Sequence, residues 1–147
     1  MNSAIITKIR FRVALWCEAR LLPFRTWRER PLSEVLSLAR SPRRACYAGL
    51  PADYILKHVL KTTRHPILMR DRRCLRQGLL ACRFMTAAGY SSELHFGLDR
   101  ESLGGPLKAH CWLVHGDRIV LNAPTEAMVP LLIHRAEAPN ATGKARL

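Results

Sequence analysis

The stretch Arg72-Arg73-Cys74-Leu75-Arg76-Gln77-Gly78-Leu79-Leu80 decides how this chain is read. Apolar positions run on from it as Leu75, Leu79, Cys82, Met85 and Ala88, while Arg76 and Arg83 lie off that stripe, and Gly89 follows as a left-handed helix stop. The pattern predicts a helix over residues 74–88, with Asp71 available as a cap and Cys74 at the helix start. A cysteine there meets unpaired backbone N–H groups and the positive end of the helix dipole, both of which favour thiolate over thiol. Cys74 is therefore the candidate nucleophile.

Beyond Gly89 the period changes to two. Leu94, Phe96 and Leu98 alternate with Glu93, His95 and Asp99, which predicts a strand within residues 90–100. Residues 102–106, with paired glycines, form a loop. Residues 107–114 alternate again, and 118–121 return after His115-Gly116-Asp117, the signature of a β-hairpin. Residues 128–133 make one more strand, which Pro130 confines to an edge. The polar tail from Ala136 to Leu147 is expected to be disordered.

Upstream, the pattern is helical. Residues 4–22 place Ile5, Ile9, Val13 and Trp16 on one stripe and Arg10, Arg12 and Arg20 elsewhere, a basic amphipathic helix ended before Pro23 that packs on the domain or touches a membrane or partner. A second short helix opens at Pro31 with Leu32, Val35, Leu36 and Ala39 inward. A third begins at Pro51-Ala52-Asp53, carries Tyr54, Ile55, Val59 and Leu60 as its apolar stripe, and ends near Thr62-Thr63 before His65-Pro66.

The totals bound the function. At 147 residues, 48% hydrophobic and 24% charged, the chain holds one folded domain with a core. Its 24 basic against 11 acidic residues, a net charge of +13, attract acidic partners without choosing among nucleic acid, an anionic membrane or an acidic peptide. Cysteines at 17, 46, 74, 82 and 111 are odd in number and follow no repeating spacing, which predicts free thiols in a reducing cytoplasm. No signal peptide is read, and no run approaches the roughly 20 apolar residues of a membrane span.

The catalytic constellation is Cys74, His110 and Asn122: a nucleophile at a helix start, a base on a strand, and an orienting group on the neighbouring strand. Hairpin register tests it. A two-residue turn at Gly116-Asp117 without a bulge pairs His110 with Ala123 and turns Asn122 to the other face, whereas a three-residue loop or a one-residue bulge sets His110 opposite Asn122. One oxyanion donor is assigned, the backbone N–H of Cys74; the second is open. Trp112 shares the His110 face and either walls the site or is core. Cys82 lies two turns from Cys74, roughly 12 Å along a helix, so no zinc site is expected, and Cys82 and Cys111 are read as core; no cofactor is expected either.

The pattern Cys74-Leu75-Arg76-Gln77-Gly78-Leu79, the Gly89-Tyr90 helix stop, Glu93-Leu94-His95-Phe96-Gly97-Leu98, Ala109-His110-Cys111-Trp112-Leu113 and Gly116-Asp117-Arg118-Ile119-Val120-Leu121-Asn122 resembles the transglutaminase-like leader peptidases of lasso peptide biosynthesis. The likeness covers roughly residues 50–135. It implies an α+β, papain-like fold in which N-terminal helices flank a central helix that starts at the nucleophilic cysteine and packs on a small antiparallel sheet. It also implies a cysteine protease that removes the leader from a ribosomally made precursor peptide. In that family a small leader-binding domain, fused at the N-terminus in some members, presents the substrate and a separate ATP-dependent cyclase then closes the macrolactam; for this chain the resemblance implies a separate leader-recognition protein. The segment 1–49 is expected to be helical and to flank a peptidase domain at 50–135, in the stand-alone form of the enzyme, with a tail at 136–147. The family carries aspartate in the third catalytic slot, where this chain has Asn122. Asp117 is read as a turn residue.

Two rivals stand beside this reading. One is a nucleic-acid-binding module built on Arg40, Arg43, Arg44, Arg70, Arg72 and Arg73, for which no stacking, zinc or helix-turn-helix motif is found. The other keeps Cys74 and His110 but transfers the acyl group to an amine, as transglutaminases and arylamine acetyltransferases do.

Overall fold

The computed structural model describes residues 3–26, 30–41, 46–64, 72–100, 108–126 and 128–136. In chain order they form helices α1 (Ser3–Arg25), α2 (Leu32–Ser37), α3 (Ala52–Thr62) and α4 (Arg73–Ala88), then strands β1 (Ser92–Asp99), β2 (Ala109–His115), β3 (Arg118–Leu121) and β4 (Met128–Ala136). Neighbouring strands are antiparallel in the order β3-β2-β1-β4. The fold is α+β, with helices gathered on a small sheet. Asp71, His65, Arg43, Arg44, Arg70, the 102–106 loop and the tail beyond Ala136 lie outside the described residues.

α4 is the pillar. It is buried from Arg76 through Ala88 except at Arg83, and one core joins its Leu79, Leu80, Cys82 and Met85 to Phe11 and Leu15 of α1, Ile55 and Val59 of α3, and Leu94 and Leu113 of the sheet. Each such apolar side chain contributes about 1.5–3 kcal/mol by leaving water. Gly78 sets how closely helix and sheet approach: a Cβ there would lie 2.6 Å from Leu94 Cδ1 and 3.0 Å from Cys111 Sγ. At the far end Gly89 adopts φ 96°, the left-handed stop expected of it, and the Tyr90 N–H donates to the Met85 carbonyl.

Polar anchors fix the other helices to this pillar. Arg76, expected off the apolar face, is buried, and its Nε donates to Thr26 Oγ1 at the end of α1. Arg83 binds the main-chain carbonyls of Leu38 and Arg40 and pairs with Glu18 of α1.

The N-terminal helix corrects the sequence expectation. α1 buries Phe11, Leu15, Ala19 and Leu22, whereas the stripe of Ile5, Ile9, Val13 and Trp16 faces outward. Residues 9 and 11 are about 200° apart around a helix, so α1 carries two apolar faces. The aromatic cluster decides between them: Phe11 meets Tyr47, Tyr54 and Phe84 at centroid distances of 5.7, 5.8 and 5.3 Å. The helix also continues through Pro23 to Arg25. In α2 no residue is fully buried: of the positions expected inward, Leu32 is exposed, Val35 and Leu36 are half-buried, and Ala39, just beyond the helix, is buried. In α3 Leu56 is buried where Leu60 was expected.

β4 is an edge strand, as Pro130 requires, and the shift from Gly97↔Pro130 to Phe96↔Leu132 leaves Leu131 as the bulge residue. The strand runs past Ile133 to Ala136, which pairs with Ser92.

Candidate active site

Three segments converge beside the first turn of α4. Arg72 enters the helix in the left-handed conformation, φ 54° and ψ 35°, without a side-chain cap. Cys74 follows as the second helical residue, half-buried. His110 is the second residue of β2, also half-buried, and Asn122 comes directly after β3 with φ 53°.

The hairpin register explains their meeting. The turn at Gly116-Asp117 has two residues, pairing His115 with Arg118 and Val114 with Ile119, but the next pair is Leu113 with Leu121. Val120 is thus an extra residue on β3, the bulge that returns Asn122 to the His110 face. Because the bulge lies on β3 rather than β2, continuing the register sets Asn122 level with Trp112, two residues from His110, and not directly opposite His110 as expected.

Contact is therefore diagonal. His110 Nε2 lies 2.9 Å from the main-chain oxygen of Asn122, and the Asn122 amide Nδ2 donates to the main-chain oxygen of Cys74 at 3.2 Å. A carbonyl only accepts, so Nε2 carries the proton and Nδ1 is the ring nitrogen left with a lone pair in the neutral imidazole. Asn122 serves both partners, the histidine by its backbone and the cysteine segment by its side chain. Its left-handed conformation is one that asparagine tolerates better than most residues. Among the described residues the Cys74 thiol makes no hydrogen bond.

The surroundings shape the site from both faces of the sheet. On the His110 face, Trp112 stacks on the imidazole with centroids 6.2 Å apart and planes 22° apart, and is itself only 5% exposed. His95 lies across the strands from Trp112, ring centroids 5.6 Å apart, and pairs with Glu93, which also binds Arg135; the His95 hydrogen bond first, then Arg135, holds the Glu93 carboxyl below its usual range. On the opposite face Cys82 and Cys111 are core, as expected. Burial raises both thiols, and at Cys111 the neighbouring Cys74 and Cys82 add to the rise.

Gln77 is buried and engaged within the helical layer. Its Nε2 donates to the buried hydroxyl of Thr63 at 2.9 Å, joining the end of α3 to the turn after Cys74. The sequence held no signal for this bond, nor for the Asn122–Cys74 tether, because both join segments that are distant in the chain. Among the described residues no group of three or more His, Cys, Asp and Glu side chains could hold a metal ion, and no helix is long and apolar enough to cross a membrane. Of the arginines that suggested nucleic-acid binding, Arg40, Arg72 and Arg73 are described and exposed.

Comparison with known families places residues 17–132, from within α1 to within β4, on the model of the transglutaminase-like superfamily. No match was found among curated proteins or among solved structures.

Proposed function

Since the chain belongs to the transglutaminase-like superfamily, which includes cysteine proteases and transferases, we propose that it is a cysteine peptidase with Cys74 as nucleophile, His110 as base and Asn122 as the positioning residue. Its substrate is the leader segment of a ribosomally made lasso precursor peptide, presented by a separate leader-recognition protein before an ATP-dependent cyclase closes the macrolactam. The observation that carries this reading is the pair of hydrogen bonds through Asn122, at 2.9 Å to His110 and 3.2 Å to Cys74. The resemblance in the motifs around Cys74 and His110 supports the choice of substrate class.

The reaction runs through those atoms. His110 Nδ1 takes the thiol proton as Cys74 Sγ attacks the scissile carbonyl, and the developing oxyanion meets the Cys74 backbone N–H. Nδ1 then returns the proton to the leaving amine and the C–N bond breaks, leaving a thioester on Sγ. Water, deprotonated by Nδ1, attacks the thioester; the acid leaves and the thiol is restored. Throughout, the bond from Nε2–H to the Asn122 carbonyl holds the ring in the required tautomer. Trp112 stacks beside one face of the imidazole.

Superfamily membership equally favours transfer of the same acyl group to an amine. Incubation of the precursor with the protein and its leader-recognition partner, followed by intact-mass measurement, separates these reactions. The account expects two fragments whose masses sum to the precursor plus one water, and no fragments with Cys74→Ala. An adduct of an added amine in place of the acid would assign acyl transfer, and cleavage retained in Cys74→Ala would refute the nucleophile.

A further inference from the structure

Between α1 and the C-terminal half of α3 lies an open groove of about 460 Å³, remote from the sheet. Ile9, Val13 and Trp16 of α1 form its apolar wall and stand 55%, 59% and 52% exposed, far more than such residues need to be on a helix whose other face already fills the core. Arg12, Arg20 and Lys61 also line it, and no acidic residue appears among its described lining residues. The Arg20 guanidinium sits 3.7 Å from the Trp16 ring centroid, so one cation is held over the apolar wall. His58 spends its Nδ1 on the Tyr54 carbonyl, which leaves Nε2 as the ring's remaining polar atom.

We infer that this groove is a docking site for a short amphipathic helix of a protein partner, apolar on the face that enters and acidic along its flanks. Charge complementarity selects the partner's sign, since the lining is cationic and the chain carries a net charge of +13. Shape favours a peptide over a lipid surface: the outward apolar stripe does not stand alone as a ridge but walls a groove shared with α3, which can seat a helix. The distance fits as well, because Ile9 to Arg20 spans about 16 Å of helix, three turns of a bound partner. The groove is also linked to α4 through the end of α3: Thr62 lines it, and the next residue, Thr63, accepts the Gln77 hydrogen bond one turn after Cys74. The docking site stands independently of the chemistry proposed for Cys74.

The test uses Cys74→Ala protein, so that hydrolysis of the probe cannot confuse the readout and failure of the peptidase reading leaves the result intact. A fluorescein-labelled 15-residue peptide with leucines at helical spacing flanked by glutamates is titrated by fluorescence anisotropy, beside a scrambled peptide of the same composition. The inference expects saturable binding that weakens with salt, and a loss of at least about tenfold on scrambling, in the double variant Arg12→Glu/Lys61→Glu, and in Val13→Asp. All three substituted residues are exposed, and circular dichroism checks that the variants keep their helices. Equal binding of the scrambled peptide, or unchanged binding in both variants, would overturn it. So would Val13-dependent pelleting with 1:1 phosphatidylcholine/phosphatidylglycerol vesicles in the absence of saturable peptide binding, which would assign the face to a membrane instead.

Discussion

His110 Nε2 donates to the main-chain carbonyl of Asn122 across 2.9 Å, so the imidazole is oriented by backbone, while the Asn122 side chain is spent on the carbonyl of Cys74. On the proposed assignment, the third slot would work through a left-handed turn residue rather than through a carboxylate.

Substitutions at Asn122 separate backbone from side chain. Glycine adopts φ 53° without strain, whereas valine there costs about 1–3 kcal/mol. Asn122→Gly should retain more kcat than Asn122→Val, and Asn122→Asp should keep the His110 contact while losing the donor to Cys74. If Gly and Val lose kcat equally with unchanged melting temperatures, the amide side chain orients the base and the backbone account is wrong.

Gly78 is the spacer between α4 and the sheet. Asn122 meets Cys74 only while that spacing holds, and a methyl group added at Gly78 would press on the fully buried Leu94 and on Cys111. Gly78→Ala should destabilise the fold by about 1–3 kcal/mol, an overpacking cost, and lower activity further than the loss of folded protein explains. Thermal melts with parallel kcat measurements check this; an unchanged melting temperature would contradict it.

How much of this was legible in the sequence follows from range. The helix from Cys74 to Ala88 with its stop at Gly89 and the switch to period-two strands rest on local periodicity, the edge position of the last strand rests on Pro130, and each is present. The outward face of α1 was not legible, because two apolar stripes compete and only tertiary aromatic contacts to Phe11 choose between them. Nor was the Asn122 geometry, since a bulge at Val120 depends on pairing energy along the whole hairpin. The buried Arg76 escaped for a similar reason: its partner Thr26 lies 50 residues away.

His134 is expected to give the fold a pH dependence. It sits on β4 opposite Leu94 with its Nε2 buried and, among the described residues, unpartnered, and burial first, then Arg40, push its pKa below the ordinary value of 6.5. The folded state therefore favours the neutral ring. Its contribution is intact above the unfolded pKa and is lost as pH falls below about 6.5. Wild-type protein should lose more melting temperature between pH 7.5 and pH 5 than His134→Phe does; parallel curves would remove His134 from the acid response.

The nucleophile itself is tested most directly by a race among the five thiols. The native protein is treated with iodoacetamide, and modification at each cysteine is followed over time by peptide mapping, in wild type and in His110→Ala. Cys17 is exposed, Cys46 and Cys74 are half-buried, and Cys82 and Cys111 are buried. Simple access would put Cys17 first. The account predicts that Cys74 outpaces Cys17, that Cys82 and Cys111 stay unmodified, and that His110→Ala slows Cys74 alone. Cys17 reacting ahead of Cys74 in the wild type, or a Cys74 rate indifferent to His110, would contradict the assignment of this pair as nucleophile and base.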